Sequence, residues 1–261
     1  MRPTLMIIYT IDNGNTNPSV AAFDKESGTL LPHQAIVTFE TWQSLILSSE
    51  HKKRHDKFAI IISSVGKKEI VDWIYAHFSR ECIVDLALYR KEKSFLDMPV
   101  DYSNSLGEDR LYQSYYLYKK SSTPKVLIDV GTFTTVDYIS EHGYEGGYIF
   151  PGPQTFLDTY ARGANLPVIK YDESWWNLGD AADDASIGKN TSDAIRLAYM
   201  LFQKSLYRYC HCKREVWLSG GYALHHAKFI QEQLQLRVHA DSLLLHRSLF
   251  FLSKSGGFVY E

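Results

Sequence analysis

Two short segments of this chain repeat each other. From Ile11 to Asp24 it reads IDNGNTNPSVAAFD, and from Leu127 to Ile139 it reads LIDVGTFTTVDYI. Each is an apolar run that closes on Asp, turns at a Gly two residues later, carries a Thr in the turn and resumes as a second β-prone run. Asp12 and Asp129 stand 117 positions apart (129 − 12), close to half of the 261 residues. A repeat of that period demands two similar units, each with its own core.

The pattern around the two turns agrees. In the first half, runs at Leu5–Ile11, Val20–Phe23 and Gln34–Phe39 predict a three-stranded meander. A helix from Glu40 to about Lys53, a strand at Phe58–Ser63, a helix near Lys68–Ser79 and a strand at Cys82–Leu86 follow. In the second half, strands are expected at Val126–Asp129, Thr134–Ile139 and Gly146–Ile149, with helices near Thr155–Arg162 and Thr191–Tyr209. Next come a strand at Val216–Ser219, a helix from about Tyr222, a strand at Arg237–Ala240 and a last helix from Asp241. Two β-β-β-α-β-α-β halves make an α/β protein of two similar domains, 1–120 and 121–261, each with a mixed five-stranded sheet. The charged, Pro-containing stretch Tyr89–Ser105 reads as a linker.

Composition narrows the partners. The 28 basic and 30 acidic residues nearly balance, so the chain lacks the charge excess that binds nucleic acid or anionic lipid, and a small-molecule ligand is expected. Its longest apolar runs fall far short of the roughly 20 residues of a membrane span. The apolar run near the N-terminus flows into a Gly turn without a small-residue cleavage site, so it reads as a first strand and the expected location is the cytoplasm. Cys82, Cys210 and Cys212 are expected as reduced thiols, and CHCK at Cys210–Lys213 lacks the second ligand pair of a zinc module and reads as a helix end.

The two turns suggest phosphate chemistry. Gly14 and Gly131 let backbone N–H groups approach an anion without interference from a Cβ. Asp12 and Asp129 would repel a phosphate but suit a cation bridging to it. One turn facing the other across an interdomain cleft would enclose the phosphates of ATP. A plain hairpin turn explains either copy alone; two copies in corresponding places favour a phosphotransferase. No P-loop, Gly-x-Ser-x-Gly elbow, His-Glu-x-x-His or protein-kinase motif competes.

LGEDR at Leu106–Arg110 opens an amphipathic run, which puts Glu108 and Asp109 in a first helical turn where the dipole favours anions. A carboxylate there stays ionised and can accept a hydroxyl proton, although acidic helix starts are also common for purely structural reasons. Arg110 reads either as a partner for a carboxylate or phosphate or as an ordinary helix-surface Arg. His225, His226, Trp175 and Trp176 read as packing residues.

Taken in order, DNGNT at Asp12–Thr16, LGEDR, DVGTFTTVD at Asp129–Asp137, GGYIFPG at Gly146–Gly152, NLP at Asn165–Pro167, GKNTSDAI at Gly188–Ile195 and SGG at Ser219–Gly221 resemble the type III pantothenate kinases. These belong to the acetate kinase, sugar kinase, Hsp70 and actin superfamily, and the resemblance runs nearly the whole length. It implies two ribonuclease H-like domains and ATP-dependent phosphorylation of pantothenate. By that resemblance Asp12, Asn13, Gly14, Asn15 and Thr16 form the first phosphate loop, Asp12 reaches Mg²⁺ through phosphate, and Thr132 contacts ATP. Gly107, Glu108, Asp109, Arg110 and Tyr102 line the pantothenate site, with Asp109 as general base. Asp129 holds K⁺ or NH₄⁺, and Thr191 meets pantothenate from the partner subunit of a homodimer. Gly147, Pro151 and Gly152 shape the cleft floor. The chain departs from the family pattern at Ser105, Phe133, Gly163-Ala164 and Ala198. Two rivals are a kinase of another small hydroxylated substrate and a nucleotide-binding regulatory relative without turnover.

Overall fold

A computed structural model describes residues 6–14, 16–32, 36–48, 57–163, 165–172, 174–175, 187–211 and 214–255. The first sheet contains β1 (Met6–Asn13), β2 (Ser19–Asp24), β3 (Val37–Thr38), β4 (Lys57–Ser64) and β5 (Ile83–Val84), in the order β3-β2-β1-β4-β5. β1 runs antiparallel to β2 and parallel to β4. Being central and covered on both faces, β1 is an almost continuous apolar run and shows no alternation. Helices α1 (Phe39–Ile46) and α2 (Lys68–His77) bring Phe39, Trp42, Ile46, Ile70 and Ile74 into one cluster with Tyr9 and Ile60. Thr38 caps α1 by accepting the Thr41 N–H on its hydroxyl.

Tyr89–Ser105 is a packed element, where the sequence suggested a linker. It folds into an antiparallel meander of β6 (Arg90–Lys91), β7 (Ser94–Phe95) and β8 (Met98–Pro99). Phe95 and Met98 are fully buried, and Phe95 packs on Tyr112 and Tyr115 of α3 (Glu108–Lys120). Strands of two residues are too short to carry a period, so charge and Pro content dominated the sequence signal.

The second sheet contains β9 (Lys125–Val130), β10 (Phe133–Ser140), β11 (Gly143–Pro151), β12 (Glu215–Ser219) and β13 (Val238–Ala240). Its order, β11-β10-β9-β12-β13, matches that of the first sheet strand for strand. Helices α4 (Pro153–Asp158), α5 (Thr191–Cys210) and α6 (Ala223–Gln233) complete this unit, and its core joins Val126, Ile128 and Val130 to Tyr199, Tyr207 and Ile230. α5 is capped by Asn190, whose side chain accepts the Asp193 N–H.

The last helix, α7 (Leu244–Ser255), packs on β1, β2 and β4. The two compact units are therefore Met1–Lys119 with Leu244–Glu261, and Lys120–Leu243. The sequence division at 120/121 had grouped this helix with the second half. Its buried Leu244, Leu245, Leu249 and Leu252 announce an apolar face without saying which sheet receives it. His246 fixes the docking, its ring bonding Thr10 Oγ1 at 2.9 Å and Ser19 Oγ at 3.0 Å.

Candidate active site

The first Gly turn follows β1 and is held by its own strand end. Asn13 is fully buried, and its Nδ2 donates to Ser64 Oγ at 3.0 Å and to the Lys67 carbonyl at 2.8 Å. Its Oδ1 accepts the Lys67 N–H at 3.2 Å, and its carbonyl accepts the Val65 N–H at 3.2 Å. The Asn13 amide thus shapes the turn from behind. The loop after β4 lies so close that a Cβ on Gly66 would sit 2.3 Å from the Gly14 carbonyl oxygen, which only a residue without a side chain permits. Asp12 is half-buried at the strand end, with Oδ1 3.2 Å from where a Gly14 Cβ would stand, and Thr16 is exposed. Asn15 lies outside the described residues.

In the same unit, the Gly107 carbonyl opens α3 by accepting the Leu111 N–H at 3.0 Å. Asp109 Oδ1 accepts the Arg110 N–H at 2.8 Å, and a Cβ on Gly107 would lie 2.6 Å from that oxygen. The glycine therefore leaves room for the carboxylate. Arg110 is buried, with its guanidinium carbon 5.6 Å from the centroid of the Tyr102 ring. Of the two sequence readings for Arg110, the helix-surface one is excluded, and Tyr102 stands beside the motif.

Glu108 turns inward. Its Oε2 accepts the Ser64 N–H at 2.7 Å, and the Tyr112 hydroxyl also bonds the carboxylate. It borders a cavity of about 80 Å³ that also touches Tyr75, Asp85, Leu86 and Tyr112. Burial raises its pKa above the usual carboxylate range; the Ser64 N–H opposes this, and the charges of Asp85 and Asp109 add to it. Burial, with the Glu108 charge second, likewise raises the Tyr112 phenol, so Tyr112 stays a donor.

The second turn has a different frame. Asp129 is half-buried at the end of β9, and Gly220 sits against it with φ +89°. A Cβ there would be 2.5 Å from Asp129 Oδ1 and 2.6 Å from the Val130 carbonyl oxygen. The Asp129 carboxylate and the Val130 carbonyl, which also accepts the Tyr222 N–H at 3.2 Å, pack against Gly220 where a side chain would stand. The Gly131 N–H bonds the Phe133 carbonyl at 3.0 Å, and the Thr132 carbonyl accepts from the Gly152 N–H at 3.0 Å and from Thr155 Oγ1 at 2.6 Å. A Cβ on Gly152 would lie 2.0 Å from the Gly131 carbonyl oxygen, and one on Gly147 2.0 Å from that of Val136. Gly152 and Gly220 thus let neighbouring groups crowd the turn that carries Asp129, and Gly147 lets β11 approach β10. Thr132 is exposed, as is Thr191 at the start of α5.

The first unit therefore brings Gly107 to Arg110 together with Tyr102, and joins Asn13 to the loop after β4. The sequence reading missed Ser64, Gly66 and Lys67; their one signal was a Gly just past a strongly apolar strand. His226 is buried and bonds the Tyr207 hydroxyl and, at 3.1 Å, that of Tyr171; Cys210 is buried at the end of α5. Cys212, Lys213 and Trp176 lie outside the described residues. Among the described residues no group of three or more His, Cys, Asp or Glu side chains could hold a metal ion, and no helix is long and apolar enough to cross a membrane.

Comparison with known proteins gives the family. A type III pantothenate kinase of Listeria monocytogenes serovar 1/2a is 32% identical over 187 residues, covering 66% of this chain and 70% of its own. One from Exiguobacterium sibiricum is 28% identical over 203 residues, covering 73% and 75%. Among solved structures, one from Campylobacter jejuni assigned to the Baf family of transcriptional activators superposes with TM-score 0.60 at 17% identity, covering 96% of this chain and all of that one. A Sinorhizobium meliloti protein assigned as a 2-dehydro-3-deoxygalactonokinase gives TM-score 0.54 at 15% identity, covering 97% and 98%. At such identities these two show the fold alone. The profile of the type III pantothenate kinases matches residues 8–209, and the chain belongs to that family.

Proposed function

We propose that this chain transfers the γ-phosphoryl group of ATP to the primary hydroxyl of pantothenate, giving 4′-phosphopantothenate, the first step of coenzyme A biosynthesis. The observation that carries the reading is the doubled frame: two sheets of identical strand order, each with its central strand ending in an Asp-Gly turn. A Gly-Glu-Asp-Arg helix start in the first unit supplies the acceptor side.

Phosphoryl transfer asks a protein chiefly for positioning and charge neutralisation. Asp109, at the positive end of α3, accepts the hydroxyl proton as the oxygen attacks phosphorus. Arg110, held by stacking on Tyr102, offers its fork to the substrate carboxylate or the transferring phosphoryl. Gly107 keeps the backbone close to the acceptor, and Thr191 adds a hydroxyl from the partner subunit of a homodimer. Gly14, Asn15, Thr16 and Thr132 meet the nucleotide, with Asn13 setting the shape of the first turn.

The donor sets fit hard cations. Asp129 offers a carboxylate to K⁺ or NH₄⁺ at the second turn and Asp12 one to Mg²⁺ at the first, each half-buried near a strand end. When bound, the cations neutralise phosphate charge. A cytoplasmic location suits a reaction that draws on ATP.

The test is ADP release by the purified chain with pantothenate, Mg²⁺ and K⁺. Turnover that requires pantothenate and falls when Na⁺ replaces K⁺ is expected. Turnover with a panel of sugars but not pantothenate would transfer the activity to another acceptor. Nucleotide binding without turnover on any acceptor would favour the regulatory rival.

A further inference from the structure

We infer that Glu108 is a positioning residue that ties the acceptor-binding helix start to the first phosphate turn. The inference rests on the pantothenate kinase reading for its kinetic consequence, and on geometry alone for the tie itself. In that reading Asp109 takes the proton and Arg110 the anion, and nothing in phosphoryl transfer asks for a third charge beside them. Its carboxylate is spent elsewhere. Oε2 accepts the Ser64 N–H at 2.7 Å, and Ser64 Oγ in turn accepts from Asn13 Nδ2 at 3.0 Å. Asn13 also clamps Lys67 through both its amide atoms and directly precedes Gly14.

A continuous path of four residues, Glu108, Ser64, Asn13 and Gly14, thus runs from the residue next to Asp109 to the first glycine turn. Every link is a hydrogen bond or a peptide bond within one compact unit. The low dielectric of a largely buried site strengthens the bond from the Ser64 amide to the Glu108 oxygen. Tyr112, one turn along α3, holds the carboxylate from the other side. Loss of the tie frees the loop after β4 to shift, and Gly66 in that loop already touches the Gly14 carbonyl. Misplacement of reacting groups by about 1 Å is enough to cost on the order of 10²-fold in rate.

The experiment compares Glu108→Ala with Glu108→Gln, which keeps side-chain volume and an acceptor oxygen. Two readouts are taken on the intact chain: kcat and KM for pantothenate and ATP, and amide hydrogen exchange over residues 64–67. Glu108→Ala should lower kcat by about 10- to 100-fold with a smaller change in KM for pantothenate, and should speed exchange at 64–67. Glu108→Gln should restore kcat to within about threefold and slow the exchange again. Equal kcat in Ala and wild type, or faster exchange in neither variant, overturns the inference. So does a kcat loss in Ala that Gln fails to rescue, because a charge requirement would then place Glu108 in the chemistry. If the wild type turns over no pantothenate, the function reading fails, while the exchange readout still decides the tie.

Discussion

At the scale of single residues, the helix start at Gly107 separates two carboxylates by duty. Asp109 accepts the neighbouring Arg110 N–H, whereas Glu108 is drawn inward to Ser64 and Tyr112. Asp109→Asn keeps shape and hydrogen bonding but removes the charge that accepts the proton. It should lower kcat by on the order of 10²-fold or more while thermal stability and nucleotide binding stay near wild type. A near-normal Asp109→Asn enzyme would move the base elsewhere. Sequence alone put both acids in the first turn, and the resemblance names Asp109 as the candidate base. It did not show that Glu108 serves the loop after β4, because no local pattern tells what lies beneath a helix start.

At the scale of elements, the strands were legible and the small pieces were not. β1 and β9 stand out because central strands covered on both faces must be apolar throughout, and the Asp-Gly that ends each is a chemical break in that run. The two-residue strands β6 to β8 are invisible to any period, and α7 advertised a buried face without naming its partner sheet. The glycines were visible as residues, but the need for them appears only when the neighbouring backbone is known. Gly220 and Gly221 make a controlled pair. Gly220 has φ +89° and its Cβ would strike Asp129 Oδ1, while a Cβ on Gly221 would meet nothing within 4 Å. Gly220→Ala should lower stability by roughly 1–3 kcal/mol from backbone strain, and should reduce or abolish the activation by K⁺. Gly221→Ala should be close to neutral in urea denaturation and in the K⁺ titration. Equal behaviour of the two variants would dissociate Gly220 from the Asp129 turn.

At the scale of the whole molecule, each compact unit buries one neutral histidine among the described residues. In the first, His246 carries α7 onto the sheet between the Thr10 and Ser19 hydroxyls, and burial lowers its pKa to about 4. In the second, His226 sits among Tyr171 and Tyr207, and burial, aided by His225, lowers its pKa to about 3. An unfolded histidine titrates near 6.5, so between that value and the folded pKa the unfolded chain binds the extra proton. The stability from each neutral ring is therefore fully present above about pH 6.5 and declines as pH falls, by up to about 1.4 kcal/mol per pH unit per histidine. For His246 the loss should level off near pH 4 and for His226 near pH 3. Urea denaturation from pH 7.5 to 4.5 should show this decline, and it should be shallower in His246→Gln, whose amide offers both a donor and an acceptor to the two hydroxyls but takes no proton. Because α7 closes the first sheet, a fluorescence probe on Trp42, which lies in that unit's core, should report the flattened dependence. An unchanged slope in the His246→Gln variant would mean that the proton uptake driving acid unfolding of the first unit occurs elsewhere, and that α7 is held by its leucines alone.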